Sequence, residues 1–156
     1  MFTIPSGPYR STTPDEIQFV TEYAHSIGLS VILSPIIDPD WRNESNCRGT
    51  GCSADSFVSR LMLGKDFTSS QWQQFFTSYR AFLAPLLAAA NSSATSRPEV
   101  ISVAAELQAA ALHADPKLWT DLCDWVRQQI PTASLTYAAI TTTITGGGMR
   151  WIDALD

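Results

Sequence analysis

The feature that most constrains the fold is a short apolar run, Val100–Leu107, which carries one carboxylate, Glu106. A run of this length with β-branched residues, entered through Pro98, predicts a strand buried on both faces, as in parallel sheets. Because α/β folds place active sites at the carboxyl ends of parallel strands, Glu106 is the first candidate catalytic residue. Strand alternation predicts two sets of side chains on opposite faces: Ile101, Val103 and Ala105 on one, and Ser102, Ala104 and Glu106 on the other.

Two other apolar segments predict further strands. Ser30–Asp38 reads as a second buried strand that also ends on a carboxylate, and Ala133–Ile140 as a third. Helical segments precede each strand, so the order helix, strand, helix, strand, helix, strand predicts a parallel sheet with covering helices. In the Ser30–Asp38 strand, alternation places four side chains on one face: Ile32, Ser34, Ile36 and Asp38.

The helices carry their own start signals. Thr13 with Glu16, and Thr68 with Gln71, form capping boxes, and Asp115-Pro116 opens the last helix, which Pro131 ends. Gly28 ends the first helix. The middle helix has Phe67 placed to pack on Trp72, and a kink is expected at Pro85.

Helical spacing also predicts which side chains are buried. In the first helix the expected apolar stripe leaves His25 as a solvated surface residue, and in the last helix Cys123 is expected to be a small buried residue. The expected buried sets, in chain order, are Ile17, Val20, Ala24 and Ile27; then Trp72, Phe75, Phe76, Tyr79, Phe82, Leu83, Leu86 and Leu87; then Leu118, Trp119, Leu122, Val126 and Ile130.

A long segment from Pro39 to about Asp66 follows the Ser30–Asp38 strand, and loops of this length in compact domains are usually functional or disordered. It carries Trp41, Arg42 and Arg48, and an aromatic ring beside arginines suits stacking on, and hydrogen bonding to, a sugar or another flat polar ligand. The alternative is a solvated loop pinned by a Cys47–Cys52 disulfide. A second loop, 108–115, holds His113.

Composition narrows the class of partner. A formal charge of −5 over 156 residues argues against nucleic acid, and no apolar stretch reaches the roughly 18 residues that a membrane span needs. No metal cluster or cofactor motif is present, and the Gly146–Gly148 run does not fit a phosphate-binding loop. The first residues lack signal-peptide features, whereas two sequons, at Asn43 and Asn91, and the cysteine pair leave secretion open.

A series of short sequence motifs, which occur in order along nearly the whole chain, resembles the motifs of the β-mannanase-like glycoside hydrolase family 113. Their order and spacing are more specific than any one of them. The motifs are Thr13-Pro14-Asp15-Glu16, Tyr23-Ala24-His25-Ser26-Ile27-Gly28-Leu29, Ser34-Pro35-Ile36-Ile37-Asp38, Trp41-Arg42, Phe67-Thr68 with Trp72, Ser78-Tyr79, Ala105-Glu106-Leu107, Leu135-Thr136-Tyr137-Ala138-Ala139 and Trp151-Ile152-Asp153-Ala154-Leu155-Asp156.

The resemblance implies an α/β fold in which residues 1–156 form one domain fragment of an incomplete (β/α)8 TIM barrel, from the second helix through the fifth strand. It implies a retaining glycosidase that acts on β-linked polysaccharide such as mannan and needs no cofactor. Glu106 matches the acid/base glutamate at the end of the fourth strand. Trp41-Arg42, or alternatively Arg48-Gly49, matches a Trp-Arg-Gly element near the sugar. Asp38 and His113 complete the expected substrate-binding set.

Three departures from the family pattern keep other interpretations open. Ile36 stands where histidine is usual, Ala105 replaces a polar residue before the glutamate, and Ile140 replaces an asparagine. The family's nucleophile, on the seventh strand, has no counterpart in this chain. A carbohydrate-binding pseudoenzyme and a truncated, inactive gene product are therefore the alternatives to an active hydrolase.

Overall fold

A computed structural model describes residues 11–37, 63–139 and 149–156 as a mixed α/β fold. Three strands form a parallel sheet in the order β1-β2-β3, which confirms the predicted parallel arrangement. In chain order the elements are α1 (Pro14–Ser26), β1 (Ile32–Leu33), α2 (Ser69–Ala90), a 3₁₀ turn (Ala94–Ser96), β2 (Val100–Ala105), α3 (Gln108–His113), α4 (Pro116–Gln129), β3 (Ser134–Ala138) and a second 3₁₀ turn (Ile152–Ala154).

The register of the strands separates the two faces of the sheet. Leu33 pairs with Ile101, and Ile101 with Leu135, and these three side chains lie in or against the hydrophobic core beneath the helices. The other face begins with the pairs Ile32–Val100 and Val100–Ser134, and both Ile32 and Ser134 are exposed. The described helices therefore cover one face of the sheet, and the ends of the outer strands are open on the other.

The aromatic side of α2 supplies much of the core, as its helical spacing predicts. Thr68 and Gln71 form the expected capping box, and the Phe67 and Trp72 rings meet edge to face, 5.0 Å apart. The buried Tyr79 hydroxyl donates a 2.9 Å hydrogen bond to the carbonyl of Val103, which fixes α2 against β2. The helix continues through Pro85, which lies on its exposed side.

Helix α4 begins at Asp115-Pro116 as predicted, and it packs beside α2. Asp115 caps it by accepting from the Lys117 N–H, and Trp119, Leu122, Cys123 and Val126 are buried. Burial raises the pKa of the free Cys123 thiol to about 11, so it stays protonated at neutral pH.

The predicted strand Ser30–Asp38 is wrong in extent and in burial. Only Ile32–Leu33 pairs as β1, while Ile32 and Ile36 are 65% and 59% exposed. Leu33 and Ile37 pack against the core, whereas Ile32 and Ile36 lie on the face of the sheet that the described helices leave uncovered. The alternation itself is seen, because Ile32, Ser34 and Ile36 are each more exposed than their neighbours. Asp38 lies outside the described residues.

The buried face of α1 also differs from the prediction. Ile17 and Thr21, one turn apart, are buried, whereas Val20 and Ile27 are exposed. The outer face carries Phe19 and Tyr23, whose rings stack 6.4 Å apart. Because the helix buries only a narrow stripe, the apolar pattern alone could not show which side faces the core.

His25 was expected to be a solvated surface histidine; it lies at the surface, but its side chain is 18% exposed and both ring nitrogens have partners. Its Nδ1 lies 2.7 Å from the Thr95 carbonyl and its Nε2 lies 3.2 Å from the Glu99 carboxylate. Glu99 also accepts a 2.7 Å hydrogen bond from the Val31 N–H. The Thr95 carbonyl and Glu99 raise the pKa of His25, and the Val31 N–H with His25 lowers the pKa of Glu99. The pair links α1 to the amino-terminal ends of β1 and β2.

Two other side chains, those of Asn91 and Asp156, form hydrogen bonds between segments at the edge of the fold. Asn91, the residue after α2 and part of a sequon, donates through Nδ2 to the Gln129 carbonyl and accepts from Arg97 Nε, so its amide already has a structural role. At the edge of β3 away from β2, the Asp156 carboxylate accepts from the Leu135 N–H and from Arg127, and its own N–H donates to the Leu135 carbonyl. Among the described helices, none is long and apolar enough to cross a membrane.

The His25–Glu99 pair makes stability depend on pH. A raised histidine pKa stabilises the fold below its ordinary value of 6.5, and that contribution is lost as pH rises through the folded value. A lowered Glu99 pKa stabilises above its ordinary value of 4.5 and is lost in acid. We expect the pair's contribution to be greatest between these two values, as measured by urea unfolding across pH.

The variant His25→Asn should lose the decline in stability above neutral pH. Asp121→Asn is the matched control, because it removes an exposed pair with Lys117 that contains no histidine, and it should keep the decline. A wild-type urea midpoint that stays constant from mildly acidic to mildly alkaline pH would contradict the assignment.

Candidate functional site

The carboxyl end of β2 contains one extra residue relative to β3. Ser102 pairs with Thr136, but the next pair is Ala105 with Ala138, so three steps along β2 match two along β3. This is a β-bulge, which bends a strand and redirects the side chains beyond it. Its position, just before Glu106, makes it part of the candidate site.

The bulge overturns the simple alternation expected for β2. Paired residues of parallel strands share a face, so Ala105 lies on the same face as Ala138 and Thr136, and therefore on that of Ser102. The prediction that Ala105 faces with Ile101 and Val103 is wrong. The extra residue shifts the side-chain phase by one position from the bulge onward.

The hydroxyl of Ser102 closes the gap that the bulge leaves. It donates a 2.6 Å hydrogen bond to the Ala104 carbonyl and accepts from the Ala138 N–H at 3.2 Å. Ser102 is buried, so its hydroxyl supplies a hydrogen-bond partner to two backbone groups beside the bulge. Without it these groups would lose a partner at a place that water does not easily reach. A serine in an apolar strand is thus explained by its backbone contacts.

Glu106 follows the bulge and is partly buried. Its φ of 55° lies in the left-handed region, where non-glycine residues are uncommon and strained. Its N–H donates a 2.8 Å hydrogen bond to the Ala138 carbonyl, which keeps the backbone attached to β3 as the chain turns. The predicted position of Glu106 at a strand end is confirmed, and the strained backbone adds to it a feature that clusters at functional sites.

The segment after Glu106 is helical, although a loop was predicted over 108–115. Gln108–His113 forms α3, and its Gln-Ala-Ala-Ala-Leu sequence consists of good helix formers. Two buried indoles anchor it: Trp119 Nε1 donates to the Ala110 carbonyl at 3.1 Å, and Trp151 Nε1 donates to the Ala111 carbonyl at 3.3 Å. These tertiary contacts stabilise a helix too short to form alone.

Tyr137 lies among the same tryptophans. Trp119 and Trp151 stack at 4.3 Å, and the Tyr137 ring meets both edge to face, at 5.8 and 5.3 Å. Its hydroxyl is buried and, within the described part of the chain, accepts no hydrogen bond of good geometry, although the Leu107 N–H lies near enough to act on it. Burial raises the pKa of Tyr137 and outweighs the Leu107 N–H, which lowers it, and the charge of Glu106 adds to the rise, so the phenol stays protonated.

Sequence reasoning assigned no role to Tyr137. The available signal was its position near the end of β3, beside the strand that ends at Glu106. Because parallel strands end at a common edge, a polar side chain there is a candidate neighbour of the glutamate. No comparable feature of the sequence indicated the bulge in β2.

The other predicted site residues are not brought to Glu106 by the described structure. His113 is exposed and ends α3, about 7.5 Å along the helix axis from Gln108, since the five steps between them each rise 1.5 Å. Asp38, Trp41, Arg42 and Arg48 lie outside the described residues, as do Cys47, Cys52, Asn43 and Ile140. Over residues 11–37, 63–139 and 149–156, no group of three or more metal-ligating side chains is found.

The chemistry that the described site could perform depends on one carboxyl group, that of Glu106. Glu106 is placed by a bulge, a strained residue and a backbone hydrogen bond, and a partly exposed carboxyl group can give or take a proton. A scan against protein-family models and a search of curated proteins each found no match to the chain.

We expect Ser102→Ala to destabilise the fold by roughly 1–3 kcal/mol, because it removes the hydroxyl that bonds the buried Ala104 carbonyl and the partly buried Ala138 N–H. The measurement is the free energy of unfolding in urea. Ser134→Ala, an exposed serine on β3, is the control and should change it little. Equal effects of the two substitutions would contradict the role of Ser102.

The left-handed backbone at Glu106 can be tested by two variants that both lack the carboxylate. Glu106→Gly should be more stable than Glu106→Ala by about 1 kcal/mol, because glycine adopts a positive φ without the Cβ penalty. Urea unfolding of both proteins measures the difference. An alanine variant as stable as the glycine variant would show that the backbone at this position is not strained.

Proposed function

We propose that this chain is part of a retaining glycoside hydrolase barrel that acts on β-linked polysaccharide such as mannan, with Glu106 as the general acid/base. The observation that carries the proposal is the placement of Glu106. It lies directly after a parallel strand, in a left-handed conformation held by the hydrogen bond to Ala138. Strand-end residues of this kind supply catalytic groups in (β/α)8 enzymes.

In this mechanism Glu106 first donates its proton to the glycosidic oxygen and later takes a proton from the attacking water. A retaining hydrolase also needs a nucleophilic carboxylate about 5 to 5.5 Å from the acid/base. We assign that role to no residue of this chain. The proposal therefore concerns one half of a catalytic pair.

The barrel part of the proposal is supported by the sheet. Its strands are all parallel, and helices α2 and α4 cover one face. On the opposite face β3 presents Ser134, Thr136 and Ala138, which are small and exposed. A closed barrel packs inward-facing side chains of this face into its interior and typically needs about 250 residues.

Asp156 supports the same arrangement at the outer edge of β3. Its N–H donates to the Leu135 carbonyl at 3.2 Å, as a residue entering a neighbouring strand would. The sugar-binding roles of Asp38, Trp41, Arg42, Arg48 and His113 belong to the proposal, and the exposed His113 is accessible to a ligand.

A carbohydrate-binding role without turnover is the second candidate. Ile36 favours it, because the side chain is 59% exposed and apolar at a position where the resemblance leads us to expect histidine. Ala105, beside Glu106, likewise offers no polar group. These residues would leave a sugar with fewer hydrogen-bond partners near the glutamate.

Glu106→Gln separates the two candidates. If Glu106 is the acid/base, the variant should hydrolyse manno-oligosaccharides roughly 10²–10⁴-fold more slowly, because glutamine cannot transfer the proton. Reducing-sugar release measures the rate. Asp121→Asn, on the exposed side of α4, is the control and should keep wild-type turnover.

Unchanged hydrolysis by Glu106→Gln would rule out the acid/base role. If the wild-type protein binds manno-oligosaccharides by calorimetry but releases no product, the binding role replaces the catalytic one.

A further inference from the structure

We propose that Trp151 is a positioning residue for Glu106, which acts through α3 and keeps the Glu106 backbone in its left-handed conformation. The proposal rests on the function proposed above for Glu106, and it adds to that site a residue from a distant part of the chain. Its first test measures the backbone and does not depend on activity.

Helix α3 depends on contacts from outside the helix. It has 6 residues, too few to be stable alone, and Leu107 at its start makes no side-chain capping bond. The carbonyl groups in the last turn of a helix have no partner within the helix. Trp151 Nε1 donates to one of them, the Ala111 carbonyl, at 3.3 Å, and Trp119 Nε1 donates to the Ala110 carbonyl at 3.1 Å. Two indole groups therefore hold α3 in place.

Ala111 connects the Trp151 bond to Glu106 through one further hydrogen bond. The Ala111 N–H donates to the Leu107 carbonyl at 2.9 Å, and Leu107 directly follows Glu106. On its other side Glu106 is bonded through its own N–H to the Ala138 carbonyl at 2.8 Å. A strained residue, here with φ at 55°, keeps its conformation because its surroundings restrain it. Trp151 thus restrains the side of Glu106 that the sheet does not hold.

The Trp151 segment, residues 149–156, is itself fixed to α4 and β3. The Trp151 indole stacks on Trp119, with ring centroids 4.3 Å apart and planes 7° from parallel. Arg127, on α4, donates through Nη2 to the Ala154 carbonyl at 2.8 Å and to the Asp156 carboxylate at 2.7 Å. Asp156 is bonded in turn to the backbone of β3. The indole N–H is therefore presented to α3 from a fixed support.

The consequence for catalysis is a defined position of the Glu106 carboxyl group. Proton transfer requires the acid/base to lie within hydrogen-bond reach of the glycosidic oxygen. A displacement of about 1 Å, caused by a change far from the reacting atoms, can lower a rate about a hundredfold. Trp151 would touch no substrate, so its effect reaches the reaction only through the Glu106 backbone.

The first experiment measures amide hydrogen exchange by NMR in the whole chain carrying Trp151→Phe, which keeps an aromatic ring but removes the indole N–H. We expect the Glu106 amide to be accelerated at least about tenfold more than the amide of Leu83, a buried residue of α2, which is the scale of one lost hydrogen bond. Trp125→Phe, in a partly buried tryptophan of α4, is the matched control and should produce no selective change at Glu106. Equal acceleration of the two amides by Trp151→Phe, or none, would overturn the proposal.

Glu106→Gly tests whether Trp151 acts on the strained backbone. Glycine adopts a positive φ without the Cβ penalty, so the backbone of that variant needs less restraint. We expect Trp151→Phe to accelerate exchange of the amide at position 106 less in the Glu106→Gly background than in the wild type. The same acceleration in both backgrounds would contradict the proposal.

A pair of surface variants repeats the test without changing the core. Arg127→Gln removes the bonds to Ala154 and Asp156 that fix the Trp151 segment, so it should accelerate the Glu106 amide selectively. Lys117→Gln breaks an exposed ion pair with Asp121 on the same helix and is the control, which should leave that amide unchanged. Equal exchange at Glu106 in the two variants would show that the segment does not position the residue.

Turnover provides the last measurement. With manno-oligosaccharides as substrate, Trp151→Phe should lower kcat roughly ten- to hundredfold with KM constant, and Trp125→Phe should keep wild-type kcat. An unchanged kcat in Trp151→Phe would overturn the positioning role. A chain that hydrolyses no glycoside would refute the proposed function, whereas the exchange measurements would still decide whether Trp151 restrains Glu106.

Discussion

The one-residue bulge in β2 determines how the candidate site is built. Between Ser102 and Ala105 the strand carries one residue more than β3 opposite, and the Ser102 hydroxyl replaces the interrupted ladder contacts. Inside the bulge, the Val103 carbonyl accepts a hydrogen bond from the Tyr79 hydroxyl, which links this irregular part of the strand to α2. An irregularity in a sheet survives only where buried polar groups are paired, and here two side-chain hydroxyls do this.

Everything downstream takes its position from that stretch. The phase of β2 is shifted at Ala105, Glu106 turns through a left-handed conformation, and α3 begins two residues later. The indoles of Trp119 and Trp151 then hold α3 against the core. Backbone strain at Glu106 is maintained because the segments on both sides of it are fixed. The surroundings thus determine the conformation of the candidate catalytic residue.

Local signals made much of this predictable. Capping boxes at Thr13 and Thr68, and the aromatic face of α2, depend on residues within one or two turns, and all three are found in the structure. The exposed face of α1 and the bonded state of His25 depend on partners far along the chain, such as Glu99, so periodicity could not reveal them. The strand end at Glu106 was predictable, whereas the bulge was not, since alternation assumes one residue per rung.

The bond between Asp156 and Leu135 has a consequence for self-association. Exposed strand edges present unpaired backbone groups that can recruit the same edge of another copy. At Leu135 both the N–H and the carbonyl of β3 are already taken by Asp156, and a carboxylate stands at the edge. Arg127 lowers the pKa of Asp156, so this carboxylate keeps its charge into mildly acidic solution. That end of β3 is therefore protected against edge-to-edge aggregation. This protection weakens once acid neutralises the Asp156 carboxylate.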